Sequence, residues 1–292
     1  MFPFVRFPVA LIMLGAALAS GAFLFAHDRT PADTFFRHYQ NFYLRDSADA
    51  QTESATTTTP VAAPATATTS VPILVYHIVR PSYPTDSKAV RALAQTPEVF
   101  DAQMKYLSVA GYHVIAFSDL ERHFADGAPL PPRSVIISFD DGWSDQFTYA
   151  FPILKKYHYT ATFFVFTNPI GRRGFMTWDD LRTMRDAGMT IGSHSLSHPF
   201  LTKIALPNVL RNEIYDSKKV LEKNLGITVH EFAYPFGQYN AGIAALVRDA
   251  GYASARGDYY HGPEQYPDRL YGLSALNAPT TTELFARKFP AD

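Results

Sequence analysis

Ser134-Val135-Ile136-Ile137-Ser138-Phe139-Asp140-Asp141-Gly142 is the stretch from which the architecture of this chain is read. Its β-branched beginning predicts a buried strand. Two adjacent carboxylates then stand where the strand stops, and Gly142 lets the backbone turn. Side chains alternate along a strand, so one Asp can bind a metal while its neighbour reaches a water. An isolated Asp-Asp-Gly is more often a simple turn, and only partners elsewhere in the chain raise it above that.

Those partners follow another short strand, Met189-Thr190-Ile191-Gly192-Ser193, in His194-Ser195-Leu196-Ser197-His198. Two imidazoles four residues apart are expected on one face of a helical turn, within reach of one ion. A carboxylate and two His leave coordination positions open for water and substrate. The third segment is Phe232-Ala233-Tyr234-Pro235-Phe236-Gly237. Taken in order, these three motifs resemble the polysaccharide deacetylases, the NodB-homology domains of carbohydrate esterase family 4. The nearest resemblance is to the bacterial poly-β-1,6-N-acetylglucosamine N-deacetylase branch. Domains of that branch also begin with a segment like Pro72-Ile73-Leu74-Val75-Tyr76-His77, and the resemblance spans residues 71–277.

The resemblance implies an α/β fold, a distorted, incomplete (β/α) barrel. It implies that Asp141, His194 and His198 hold a divalent ion, with zinc the first choice and cobalt, nickel or iron the alternatives. Asp140 becomes the catalytic base, and the backbone N–H of Phe236, after Pro235, the oxyanion donor. The family's usual leaving-group acid is a His in a Leu-x-His motif, where this chain has Leu273-Ser274-Ala275-Leu276-Asn277. In the β-1,6 branch a His at the start of the domain takes that place, and His77 matches it; His261 is the weaker candidate. Many relatives also carry an Arg, orienting the catalytic Asp, where this chain has Ala233. Arg256, at the next strand end, is the available substitute.

The physical logic of such a site stands without the resemblance. Water is a poor nucleophile and an amide a poor electrophile, and a divalent ion improves both. Strand-like and helix-like segments alternate from Val71 onward, which predicts a mainly parallel sheet covered by helices. Barrels carry their chemistry at the C-terminal ends of the strands, and Asp140, His194 and Pro235 all follow predicted strands. Helices are expected over residues 97–110 (capped by Thr96), 118–124, 146–157, 178–187 (capped by Thr177), 207–225 (closed by Gly226) and 241–250. Strands are expected over residues 73–76, 113–117, 161–166, 231–234 and 252–255. Trp143, Tyr234, Tyr259 and Tyr260 are candidate walls for sugar rings, although most aromatics in such a chain are core.

The rest of the chain sets the context. A hydrophobic content of 47% is ample for a core, a net charge of −1 gives no reason to expect nucleic acid, and the absence of cysteine excludes disulfides and thiolate chemistry. Residues 1–29 hold an apolar run, Phe7 to Ala26, preceded by Arg6. That run predicts an uncleaved signal anchor, with a signal peptide cleaved after Ala17-Leu18-Ala19 as the alternative. Residues 30–70 combine an aromatic amphipathic segment with a Thr-, Ala- and Pro-rich linker, leaving 71–292 as the catalytic domain. The expected location is exported and membrane-tethered, facing periplasm or cell exterior, or secreted if the leader is cleaved. The leading functional reading is a metal-dependent N-deacetylase of an exported N-acetylglucosamine polymer, first choice the β-1,6-linked one. The other is a non-catalytic saccharide-binding module of a synthesis or export machine, motivated by Ala233 and the missing Leu-x-His histidine. The oligomeric state is not written in the sequence.

Overall fold

The computed structural model describes residues 68–259 and 262–291. The leader, the amphipathic segment and most of the linker lie outside the described residues, as do Tyr260 and His261. Among the described residues no helix is long and apolar enough to cross a membrane.

Seven parallel strands form a closed ring: β1 (Ile73–Tyr76), β2 (Ser134–Phe139), β3 (Thr162–Val165), β4 (Thr190–Ser193), β5 (Glu231–Ala233), β6 (Ser254–Tyr259) and β7 (Leu273–Asn277). They pair in sequence order, and β7 returns to β1 through Leu276 beside Leu74. An ideal barrel of this kind has about eight strands. Here the ring is one short, and the β4–β5 seam is held by a single registered pair, Ser193 with Phe232. The expected distorted, incomplete (β/α) barrel is the observed one.

The period of two decides what fills it. Ile73, Val75, Ile136, Phe164, Ala233, Leu273 and Ala275 point inward and pack as one cluster. Phe117 and Leu120, from helix α1 (Phe117–Asp126), join that cluster. The alternate residues, Leu74, Tyr76, Ile137, Phe139, Phe163 and Val165, point outward against the helices. Each such side chain, fully buried, contributes on the order of 1.5–3 kcal/mol. Phe164 fills so much of the interior that a Cβ on its register partner Gly192 would lie 2.6 Å from the ring. A glycine is required there for steric reasons.

Helix ends follow their capping residues. The Thr177 side chain accepts from the Asp180 amide at 3.2 Å, and the Asp180 carboxylate accepts from the Thr177 amide at 2.8 Å, opening α2 (Trp178–Asp186). The longest helix, α3 (Pro207–Leu225), ends at Gly226 with φ 65. Three expectations are corrected. The strand expected over residues 113–117 is only His113–Val114, because α1 already starts at Phe117, where Asp119 accepts from the Ala116 amide. The helix expected over 146–157 opens as a π turn, Gln146–Ala150, before the α-helical Phe151–Lys156. Leu273–Asn277, read only as a motif position, is the strand that closes the ring.

Candidate active site

Ile136, Ser138 and Asp140 share one parity, so Asp140 projects into the mouth of the barrel at the C-terminal end of β2. Its amide donates to the Tyr76 carbonyl at 2.9 Å, extending the pairing with β1 one residue past the strand. Asp141 then leaves the strand with φ 76, followed by Gly142 with φ 77. A non-glycine residue in the left-handed region is strained, and this turn leaves both carboxylates beside His194 Nε2, Asp140 Oδ2 at 3.8 Å and Asp141 Oδ1 at 3.7 Å.

Asp141, His194 and His198 converge, with one ligand atom from each lying within 4.8 Å of the others. His194 Nε2 is 3.7 Å and His198 Nε2 3.4 Å from Asp141 Oδ1, and the two nitrogens are 3.1 Å apart. His194 Nδ1 lies 2.7 Å from the Ala233 carbonyl. A carbonyl only accepts, so Nδ1 carries the proton and the lone pair of Nε2 faces the cluster. The indole N–H of Trp143 donates to the outer oxygen of Asp141 at 3.0 Å. Ring nitrogens facing each other beside a carboxylate form a donor set that fits a divalent cation, with Asp141 and His194 oriented from behind by Trp143 and Ala233.

The two imidazoles do not reach this place by a helical turn. Ser195 and His198 both have positive φ, 70 and 61, so residues 194–198 form a tight loop. The Ser195 hydroxyl accepts from the His198 amide at 3.0 Å. The buried Glu213 of α3 accepts from the amides of Leu196 and Ser197, at 3.0 and 2.8 Å. A carboxylate on a distant helix thus replaces the helical hydrogen bonds expected from the spacing.

Arg256 on β6 is 1% exposed and donates to Asp140 Oδ1. It is the register partner of Ala233. Partners on neighbouring strands stand about 4.8 Å apart on the same face. The guanidinium therefore occupies the space an Arg at position 233 would use, and the small Ala233 leaves it room. Its other side lies over the Phe164 ring at 4.7 Å. His77, just past β1 and buried, places Nε2 3.9 Å from Asp140 Oδ2.

Burial governs the electrostatics. Desolvation, and then the charge of Asp140, pushes Asp141 up to about 8. Desolvation lowers His194 to about 3, with Arg256 adding to it, and lowers His198 as well. It lowers His77 to about 4, against the pull of Asp140. The site thus favours neutral imidazoles, the form that donates lone pairs.

The remaining predicted residues fall into place as follows. Pro235, Phe236 and Gly237 form a turn in which Phe236 has φ 59 and the Gly237 amide donates to the Tyr234 carbonyl at 2.8 Å. The Phe236 ring stands 4.5 Å from that of His198 and stacks on Phe200 at 3.7 Å. Tyr234 does not line the mouth: it is 1% exposed, stacks on Tyr239, and donates its hydroxyl to the Tyr271 carbonyl. Trp143, 2% exposed and stacked on Phe175, holds Asp141 and offers no open face to a sugar. Glu213 and Phe200 escaped the sequence reading, since nothing local marks a helix carboxylate or a loop aromatic as belonging to a site.

Comparison with known proteins follows the same lines. A family model for polysaccharide deacetylase matches residues 127–255. A Bacillus subtilis protein named as a candidate polysaccharide deacetylase is 29% identical over 62% of this chain and 62% of its own length. A poly-β-1,6-N-acetyl-D-glucosamine N-deacetylase of Staphylococcus aureus is 29% identical over 56% of this chain and 61% of its own. The chain thus spans about six tenths of the length of these curated relatives. A solved Streptococcus pyogenes deacetylase in complex with acetate superposes with a TM-score of 0.65 at 27% identity, covering 74% of this chain and 93% of that one.

Proposed function

We propose that this chain, whose residues 127–255 match the polysaccharide deacetylase family model, hydrolyses N-acetyl groups from an N-acetylglucosamine polysaccharide, releasing acetate and leaving free amines. The observation that carries the reading is the Asp140 carboxylate standing beside the Asp141, His194 and His198 cluster, fixed by Arg256, with His77 opposite.

Asp141, His194 and His198 are the residues that would hold the ion, zinc by first choice with cobalt, nickel or iron as alternatives. A divalent ion there supplies Lewis acidity toward the water and the amide carbonyl. Asp140 takes the proton from the attacking water, help worth about 10²–10⁴-fold. Water oxygen bonds to the carbonyl carbon, and the backbone N–H of Phe236 is assigned to the oxyanion that forms. Burial keeps His77 neutral between cycles; negative charge building on the substrate raises its proton affinity at the moment of need. A proton passes from Asp140 through His77 to the nitrogen, the C–N bond breaks, and acetate and amine leave.

The substrate proposed first is the β-1,6-linked polymer, on the strength of the motif resemblance and the printed name of the Staphylococcus relative; peptidoglycan and chitin-type polymers follow. The proposed location is exported and tethered through the apolar N-terminus. The linker joins at Thr69–Ser70, which pairs with Glu264–Gln265 ahead of β1. That is the barrel end away from the site, so a tether there leaves the mouth facing outward.

The test measures acetate and free amine released from defined N-acetylglucosamine polymers by protein loaded with zinc, cobalt or nickel. Equal amounts of both products are expected. No release from any such polymer, with metal bound at the site, would overturn the reading in favour of a saccharide-binding module. That second reading draws on the absence of a histidine in Leu273–Asn277, and it requires binding without turnover, unaffected by Asp140→Asn.

A further inference from the structure

Gln146 takes no part in the chemistry above, yet it is wholly buried next to it. Its side-chain nitrogen donates to the His77 carbonyl at 2.7 Å and to the Asp140 carbonyl at 2.5 Å. A carboxamide has two N–H donors, and here each carbonyl takes one. Both partners only accept, which fixes the nitrogen toward them. The side-chain oxygen is left buried with no hydrogen-bond partner. A buried polar group incompletely satisfied is disfavoured on stability grounds alone, which points to a role for its other end.

The local backbone is built to aim this side chain. Gln146 opens the π turn Gln146–Ala150, an insertion that rotates the following helix relative to the preceding loop. The preceding residue works on the same target: Asp145 Oδ1 accepts from the Val79 amide at 3.0 Å. Consecutive side chains of one turn therefore hold residues 77 and 79, the exit of β1, against the exit of β2. Asp140 has two holds of its own, its amide on Tyr76 and its carboxylate on Arg256. His77 lies between β1 and the short strand Ile78–Val79, which pairs with Ala94–Gln95, and the carboxamide holds its carbonyl at that junction.

We propose that Gln146 is a positioning residue: its carboxamide sets the distance between His77 and Asp140, and with it the transfer of the proton to the leaving amine. The proposal rests on the deacetylase reading for its catalytic consequence, but the coupling of Gln146 to His77 can be read without turnover.

The experiment compares wild type, Gln146→Met and Gln146→Glu on two acetyl donors. One is the N-acetylglucosamine polymer, whose amine must be protonated to leave; the other is an aryl acetate ester, whose phenolate leaves unaided. We expect amide kcat to fall about ten- to hundredfold, as for a misplacement of about an ångström. KM and bound metal are expected unchanged and ester turnover close to wild type, with a lowered melting temperature because the His77 and Asp140 carbonyls lose their donor. His77→Ala is expected to show the same profile, and the double variant no further loss, since the two act on one step. Histidine-ring NMR signals report the coupling independently of any substrate: the His77 resonances shift in Gln146→Met while those of His194 stay. Wild-type amide turnover in both variants, parallel loss on amide and ester, unmoved His77 resonances, or failure of both variants to fold would each overturn the proposal. A wild-type protein inactive on every polymer, with His77 still shifting in Gln146→Met, would count against the deacetylase reading while upholding the Gln146 assignment.

Discussion

The two sides of the site are built differently. The candidate metal side, Asp141, His194 and His198, comes from two contiguous segments, and its holds are partly local, an indole two residues on and a loop closed through Ser195, and partly distant, the Ala233 carbonyl of β5 and the Glu213 carboxylate of α3. The proton-handling side, His77, Asp140 and Arg256, comes from three strand ends spread across the chain, and its parts meet only when the ring closes. The side with more short-range holds tolerates more distortion elsewhere, whereas one assembled wholly through the barrel inherits every fault of the barrel.

That contrast can be broken by experiment. The largest effect is expected from His194→Ala, which removes a ligand: metal content measured by elemental analysis should fall with activity to background, while a retained ion would contradict the assignment. Asp140→Asn should keep the metal and lose about 10²–10⁴-fold in turnover, the range for a general base. Arg256→Met should leave the buried Asp140 without its cation, a change that costs about 3–5 kcal/mol of stability in comparable pairs, readable by chemical denaturation. Arg256→Met as stable as wild type would show that the ring does not depend on that pair.

The smallest effect is on pH. The metal-free Asp141 sits near 8, against an unfolded value of about 3.9. Its contribution to stability is complete below the unfolded value and is lost as pH climbs through 8. His77 and His194, near 4 and 3 when folded, act oppositely: their contribution is complete above the unfolded value of about 6.5 and is lost as pH falls. Above about pH 6.5 the histidine contributions no longer change, while those of Asp141 and of Asp145 and Glu231, both raised by burial to about 7, still do; of these three only Asp141 belongs to the candidate metal cluster. Chelated protein should therefore lose a few degrees more of melting temperature between pH 6.5 and 8 than the metal-loaded form. A constant gap between the two forms would count against ion binding at Asp141.

Much of this was legible beforehand because it rests on local chemistry. Thr177 and Gly226 mark helix ends through their own hydrogen bonds and backbone freedom, and α3 has the bounds its sequence predicts. The candidate ligand motifs were readable through their resemblance to a known family, since the His-x-x-x-His spacing by itself pointed to a helical turn that does not form. The helical turn at residues 194–198 was misread, because the bonds that close that loop come from Glu213 on α3. Tyr234 and Trp143 read as open walls, since a strand-end aromatic gives no sign of which way the next loop will cover it.

By itself the sequence determined the alternation of strands and helices and the parity that sends Asp140 inward, because periodicity is a property of the chain; the three candidate ligands were singled out by the resemblance of their motifs. Only the tertiary structure decided that Arg256 stands where Ala233 cannot act, that Leu273–Asn277 closes the ring, and that Gln146 joins two carbonyls from different strands. Those outcomes depend on register between distant segments, which is set when the interior packs.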